Sequence, residues 1–391
     1  MKKIAVVELL SLCLLVLVPV SSGLAGKDKA VCCDFSSNKK PLWQAVLDLP
    51  PEPSGECVWS NAGGDLAYTD AQHIVIGSLV QCFHATPHEP RVEKRALLFQ
   101  VDAASGRVVS RADWNNVPSP QNRVDNDFQI LPTHDGRFLV RAGAVLKLLG
   151  PDFNEIRNRV LVEGYTSDWD YWFVGVAPDG RQGFFKRGKQ SGLSEDHWFS
   201  ADTLEDEQVD KAPPEEDRLS NPIITNSSVY FHRREPKGLY VRERGQESSR
   251  LLCSECTGVP VTILPNGLLF IATAPKASFL LVSPDGTVVR RASYGTGVDS
   301  SFHVSAASTS PRFAFRYGHL ERGLFSWRSP ETAVVFDTKR MKDIYQLKYQ
   351  PEAEHIAGGE GWIHTSIALS LDGTRLAVLG LAVLKEFEIS K

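Results

Sequence analysis

Short apolar segments separated by tight turns dominate the sequence, and this pattern predicts β-strands rather than helices. Residues 364–378 show the basic unit. Ile367 and Leu369 alternate with small or polar residues, Asp372-Gly373 provides the turn, and apolar residues resume at Leu376. An Asp-Gly pair between alternating segments is a strong hairpin signal, because both residues tolerate the positive φ that such a turn requires.

This strand–turn–strand unit recurs along the chain. Its turns lie at residues 70–72, 134–136, 178–180, 226–227, 265–267, 310–311 and 372–373. Two further candidate strands follow the earlier pairs, most clearly at 279–282 and 287–290. Seven units of four strands, spaced by about 40 to 65 residues, are typical of a β-propeller. A six-bladed propeller is the alternative if the weak fourth unit or the long first unit is misassigned.

The two ends of the chain complement each other. The seventh unit has a third strand at 383–389 and no fourth strand, whereas the N-terminal segment 42–49 has no partner of its own. An N-terminal strand that closes the ring would remove an exposed sheet edge. The predicted fold class is therefore all-β, with a single β-propeller over residues 41–391 and a linker at 26–40.

Three turns carry a shared motif that resembles known proteins. The Ser-x-Asp-Gly turns at 283–286 and 370–373, and the related turn at 177–180, resemble those of WD-repeat-like and YVTN-type bacterial propeller proteins. The resemblance extends over nearly all of the mature chain and implies the propeller fold. The Trp-Asp and Gly-His pairs of strict WD repeats are missing, so the resemblance does not carry over their usual scaffold role.

The first residues have the pattern of a secretory signal peptide. Lys2-Lys3 forms a basic start, residues 4–20 are apolar except for Glu8 and Ser11, and small residues lead to a predicted cleavage site after Ala25. The alternative is an uncleaved membrane anchor, but Glu8 interrupts a run at the low end of the roughly 17–25 residues that a span needs. Residues 1–25 are thus predicted to be removed, and the protein to be exported to the periplasm or outside the cell. No second segment is predicted to cross a membrane.

The cysteines fit an exported protein. Of the seven, Cys13 lies in the predicted signal peptide, and the disulfide candidates are Cys32, Cys33, Cys57, Cys82, Cys253 and Cys256. Their connectivity cannot be derived from the sequence. The single C-x-x-C at Cys253–Cys256 lacks the further ligands of a metal site, so a local disulfide or two free thiols are the alternatives.

Charge and motifs exclude several function classes. The net charge is −4, which gives no electrostatic footprint for nucleic acid. The sequence contains no Gly-x-Ser-x-Gly elbow, no phosphate-binding loop and no dinucleotide-binding fingerprint. We expect a monomer for which no cofactor is implied, and a binding role is favoured over an enzymatic one.

The long connections fall at one end of the predicted ring. If the strands of each blade are named A to D from the channel outward, every long connection joins B to C or D to A, and we call this end the loop end. Binding residues are often placed on such loops over a rigid scaffold. The candidate ligand-binding residues there are Trp114, Asp125, Asp168, Trp169, Trp172, Trp327 and Trp362.

Acidic and imidazole side chains near the starts of inner strands give a second hypothesis. Asp127, His303 and His364 could line the channel mouth and there perform acid–base chemistry or bind a divalent metal. The alternative for each is a hydrogen bond to a neighbouring strand. The main functional prediction is a propeller that binds a protein or cell-envelope glycan at the loop end. The alternative is a hydrolase or lyase with a site at the channel mouth.

Overall fold

The computed structural model describes residues 35–48, 57–84, 91–114, 128–161, 169–189, 194–212, 222–273, 277–294, 303–318, 321–322, 327–328, 330–350, 355–356, 359–360, 365–380 and 382–389. All regular secondary structure in these ranges is β-strand. In the same ranges, no helix has the length and apolar character needed to span a membrane.

The strands form seven sheets of at least four strands, which we number as blades 1 to 7. Two N-terminal strands, β1 (Ser36–Ser37) and β2 (Trp43–Val46), come first. Blade 1 contains β3 (Cys57–Tyr68), β4 (His73–His84), β5 (Arg91–Asp102) and β6 (Val108–Trp114). Blade 2 contains β7 (Phe128–Pro132), β8 (Phe138–Ala142), β9 (Val145–Leu149) and β10 (Glu155–Val160). Blade 3 contains β11 (Trp169–Val176), β12 (Gln182–Lys189), β13 (Ser194–Ser200) and β14 (Asp206–Ala212).

The second half of the chain repeats the arrangement. Blade 4 contains β15 (Ile223–Ile224), β16 (Ser228–Arg234), β17 (Lys237–Glu243) and β18 (Arg250–Cys253). Blade 5 contains β19 (Val259–Ile263), β20 (Leu269–Thr273), β21 (Ser278–Val282) and β22 (Val288–Ser293). Blade 6 contains β23 (His303–Ala306), β24 (Arg312–Gly318), β27 (Glu331–Asp337) and β28 (Lys342–Gln350), with the hairpin β25 (Glu321–Arg322) and β26 (Trp327–Arg328) inserted. A second hairpin, β29 (His355–Ile356) and β30 (Gly359–Glu360), precedes blade 7, which contains β31 (Ser366–Leu369), β32 (Arg375–Leu379) and β33 (Val383–Glu388).

Each blade is an antiparallel sheet, and apart from the N-terminal strands β1 and β2 its strands are neighbours in chain order. The seven blades are arranged as a propeller. This confirms the seven-bladed prediction over the six-bladed alternative. The weak fourth unit is a complete blade, although its inner strand β15 has only two residues.

The N-terminal segment closes the ring, as predicted. Strand β2 pairs with β33, with Trp43 opposite Glu386, and so supplies the fourth strand of blade 7. Just before it, β1 adds a fifth strand to blade 6 by pairing with β28. Trp43 also donates from its indole Nε1 to the carbonyl of Ala103 in blade 1, at 3.0 Å. One short segment therefore joins blades 6, 7 and 1, and part of the predicted linker is a strand.

The core lies between neighbouring blades. Blades 5 and 6 share an aromatic cluster in which the rings of Phe270 and Phe279 are 4.7 Å apart and those of Phe270 and Phe313 are 5.4 Å apart. In blade 3, Trp198 is fully buried, 5.1 Å from Phe184. Apolar residues that alternate along each strand thus fill the gaps between sheets, which is why the period-two pattern predicted the fold.

The Ser-x-Asp-Gly motifs form the turns between strands A and B or C and D. In blade 7, Gly373 has φ 71°, and Asp372 accepts hydrogen bonds from the backbone and hydroxyl of Thr374. In blade 5, the Ser283 hydroxyl and the Thr287 amide donate to Asp285, and these hydrogen bonds lower the pKa of that carboxyl. The motif is therefore explained by local hydrogen bonding in the turn.

Candidate functional site

The two ends of the propeller differ in the backbone that they carry. At one end, the A–B and C–D turns are short throughout the described blades. The other end carries the hairpins β25–β26 and β29–β30 and the extension of blade 1, whose first three strands have 12 residues each. Part of what the sequence suggested to be long loop is strand, since β4 continues to His84 and β12 to Lys189. The loop end thus projects ordered sheet as well as connections.

The predicted ligand-binding residues are distributed around this end. Trp169 and Trp172 belong to the inner strand β11, and Trp327 lies in the hairpin strand β26. Trp114 is the last residue of β6, and Lys147 Nζ of blade 2 lies 4.5 Å from the centre of its ring. The remaining predicted residues lie outside the described ranges: Asp125, Asp127, Asp168, Trp362 and His364.

His303 has an acidic partner that the sequence did not predict. Its Nε2 lies 3.8 Å from Oδ1 of Asp65, across the front of blade 7. Each of the two residues is the fourth from the end of its inner strand, β23 and β3, so they lie at the same level of the channel. Their side chains are 30% and 21% exposed, respectively. His303 is therefore part of a dyad at the loop end of the channel.

Asp65 is held in place by backbone amides. Its Oδ1 accepts from its neighbour Leu66 at 2.8 Å, and its Oδ2 accepts from Ile130 of blade 2 at 2.7 Å. Asp65 thus connects blade 1 to blade 2 while it faces the imidazole of blade 6. The sequence analysis missed it because its partner His303 lies in another blade, far away along the chain.

A buried polar network lies behind His303. Arg316 is opposite His303 in the sheet and donates from Nη1 to Glu331 at 2.8 Å. Thr365 of the chain leading into blade 7 donates to the other oxygen of Glu331, and its hydroxyl is 2.7 Å from that of Tyr349. Burial raises the pKa of the Tyr349 hydroxyl, and the nearby Glu331 carboxylate raises it further. The network fixes blades 6 and 7 to each other beside the dyad.

Equivalent positions in other blades form one polar layer. Gln129 lies opposite Arg141 in blade 2, and Phe173 lies opposite Lys186 in blade 3. Arg141 and Lys186 are each only 3% exposed. Together with Arg316, they place buried cationic side chains on the second strand of blades 2, 3 and 6. These side chains lie at the same level of the channel as the dyad.

The two ring nitrogens of His303 have different surroundings. Nε2 faces the Asp65 carboxylate at 3.8 Å, which is within ion-pair distance but longer than a hydrogen bond. Among the described residues, neither Nδ1 of His303 nor Nε of Arg316 has a hydrogen-bond partner, and both atoms are buried.

A metal site is not formed around His303 by the described residues. In the described part of the chain, the group with spacing suited to a cation is His134, Asp135 and Asp202, which is exposed and lies at the opposite, short-turn end. Arg137 pairs with both carboxylates of that group. The guanidinium offsets one of the two carboxylate charges and occupies oxygen atoms that a cation would need.

Comparison with known proteins finds similar solved structures but no family. No model of a known protein family and no curated protein sequence matches this chain. Among solved structures, the chain is similar to the β-propeller domain of the Trilobed protease from Pyrococcus furiosus, with 11% identity, 86% of this chain and 99% of that chain covered, and a TM-score of 0.45. An uncharacterized protein from Listeria monocytogenes shares 11% identity over 86% of this chain and 95% of that chain, with a TM-score of 0.46. The WD40 domain of SCAP from fission yeast shares 8% identity over 91% and 98%, with a TM-score of 0.38. The seven four-stranded blades of the structure itself confirm the resemblance to WD-repeat-like propellers at the level of fold.

Alanine substitutions of Asp65 and His303 should differ in how much they lower the free energy of unfolding. Asp65→Ala removes the acceptor of two backbone amides, and we expect it to lower the free energy of unfolding by about 1–3 kcal/mol. His303→Ala removes a contact at 3.8 Å and should lower that free energy by less than about 1 kcal/mol. Urea denaturation of both variants provides the measurement. Equal losses would show that His303 has the same structural role as Asp65.

Proposed function

We propose that this protein is an exported β-propeller that binds a cell-envelope ligand, glycan or protein, through the loop end. The proposal rests on the additional β-strands that project from that end. Blade 1 extends beyond its neighbours there, and both extra hairpins lie there, whereas the opposite end has short turns. Binding surfaces are commonly built by elaborating one side of a rigid scaffold.

Export is supported by two observations. The sequence begins with a basic, apolar and small-residue pattern that is typical of a secretory signal. In the structure, Cys253 and Cys256 are bonded to each other, with their sulfur atoms 2.00 Å apart. Stable disulfides form in oxidising compartments and are rare in the cytosol.

The tryptophans of the loop end supply the expected contacts. Trp172 and Trp327 belong to strands of blade 3 and of the inserted hairpin, and both elements reach this end. Aromatic side chains are enriched among the residues that dominate binding energy. They also offer flat apolar faces for the rings of a glycan.

Binding should therefore depend on the loop end. We expect Trp172→Ala combined with Trp327→Ala to weaken binding at least about tenfold, equivalent to about 1.4 kcal/mol. The measurement is co-sedimentation of the purified protein with peptidoglycan sacculi, and cross-linking to envelope proteins if sacculi do not bind. The matched control is Val209→Ala, which truncates a side chain that is 51% exposed on the outer strand of blade 3. Binding that the tryptophan variant retains in full would place the ligand elsewhere.

A hydrolase or lyase is the second candidate, and the Asp65–His303 dyad favours it. An imidazole oriented by a carboxylate is a common general base. If the dyad is catalytic, His303→Ala should abolish turnover of a bound glycan while leaving its affinity within about threefold, because the base acts on the transition state. Release of soluble fragments from sacculi provides the assay. Undiminished release by the variant would exclude a catalytic role for His303.

A further inference from the structure

Blade 1 carries a projection that no other described blade has. Strands β3, β4 and β5 have 12 residues each, whereas β7, β8 and β9 of blade 2 have five. At about 3.3 Å per residue, the additional residues extend roughly 20 Å beyond the body of the ring. We call residues 57–64, 78–84 and 91–95 the blade 1 arm.

Two cysteines lie directly opposite each other on this arm. Cys57 pairs with Cys82 in the antiparallel register of β3 and β4, flanked by the pair Val58 and Gln81. Opposed residues in antiparallel strands have Cα atoms about 4.5 or 5.5 Å apart, according to the hydrogen-bonding pattern. Both values fall within the roughly 4.4–6.8 Å that disulfides span. The backbone thus places the two cysteines at bonding distance for either type of pair.

The pairing register of β3 with β4 in the arm is weakly specified, so a covalent bond between the two strands would stabilise it. The pairing of β3 with β4 shifts between Ser60 and Asp65, where β3 carries the small residues Ala62, Gly63 and Gly64. Glycine-rich strands are prone to slip relative to their partners. By contrast, β4 and β5 pair without a shift as far as His84 and Arg91. The first residues of β3 are therefore the part of the arm that backbone pairing holds least firmly.

We infer that Cys57 and Cys82 form a disulfide that fastens β3 to the arm. Cys253 and Cys256 already bond to each other, which leaves these two as the remaining cysteines within the described ranges. In the reaction, each thiol loses its hydrogen, a sulfur–sulfur bond forms, and a disulfide-bearing oxidant is reduced to two thiols. In the cell, such an oxidant is available in the compartments reached by the export proposed above. In vitro, glutathione disulfide serves as the oxidant.

Peptide mapping tests the bond directly. The protein is equilibrated with reduced glutathione and glutathione disulfide, alkylated without reduction and digested with trypsin. Both cysteines fall in one tryptic peptide, residues 40–91, because Lys40 precedes proline and the next basic residue is Arg91. We expect that peptide to carry no alkyl group and to be two hydrogens lighter than its reduced form. Further cleavage before Asp65 and Asp70 should leave fragments that separate only after reduction.

Variants make the result specific. Cys57→Ser should make Cys82 fully reactive toward the alkylating agent, and Cys253→Ser should leave the 57–82 bond intact. The inference is overturned if both thiols are alkylated while Cys253–Cys256 stays closed, or if either is joined to the peptide that contains Cys32 and Cys33. Because the oxidant is added in vitro, a failure here is distinct from a failure of export or of loop-end binding.

Discussion

Asp196→Ala is expected to lower the free energy of unfolding by about 3–5 kcal/mol. Asp196 of blade 3 forms an ion pair with Arg242 of blade 4, and neither side chain is exposed to solvent. Asp196 also lies opposite the buried Lys186 in its own sheet. Without the carboxylate, the buried cations lose their counter-charge, and water cannot replace it. The free-energy cost of removing these charges from water is then no longer offset.

An exposed ion pair provides the matched control. Asp113 bonds with Arg95 in blade 1, where the two side chains are 28% and 36% exposed. Asp113→Ala should therefore cost less than about 1 kcal/mol, because water replaces the lost partner. Urea denaturation followed by tryptophan fluorescence measures both variants. Similar small losses for Asp196→Ala and Asp113→Ala would contradict the importance of the buried pair.

Removal of the N-terminal segment is expected to have the second large effect. A variant that begins at residue 49 lacks β1 and β2 and loses the buried side chains of Phe35 and Leu47, which are 2% and 4% exposed. Burial of these two side chains alone contributes about 3–6 kcal/mol. Deletion also uncovers the edge of β33, an unpaired edge that can associate with other chains. We expect a lower melting temperature and the appearance of oligomers in light scattering.

Two comparisons isolate the role of this segment. A variant that begins at residue 35 retains both strands and should have a higher melting temperature than the variant that begins at residue 49. A synthetic peptide of residues 35–48, added to the variant that begins at 49, should restore monomers by pairing with β33 and β28. A truncated protein that stays monomeric with an unchanged melting temperature would refute closure by β2.

The fold was predictable because each part of its signal is local. Apolar alternation defines strands, and Asp-Gly turns such as Asp372-Gly373 define hairpins within a few residues of sequence. Ring closure was predicted by counting strands. The segment at 42–49 had no partner of its own, and blade 7 lacked its last strand. Strand β1 escaped prediction because it has only two residues, Ser36 and Ser37, and its pairing depends on an edge about 310 residues away.

The site was less predictable because it depends on register and blade packing. His303 was identified from its place at the start of an inner strand, but its partner Asp65 lies far away in sequence, in another blade. The contact depends on how blades 1 and 6 are placed around the ring, and no local sequence pattern encodes that placement.

The sequence by itself determined the class of fold, the number of blades, the closing strand and the end that carries the elaborated connections. These features follow from periodicity, turn chemistry and chain order, which act over short distances along the chain. Tertiary structure alone decided that Asp65 faces His303, that Asp196 neutralises Arg242 and that Cys57 lies opposite Cys82. The two charged contacts depend on how whole sheets pack against each other. The opposition of the two cysteines is set by the pairing register of β3 with β4 inside blade 1, which includes a shift that the sequence pattern does not reveal.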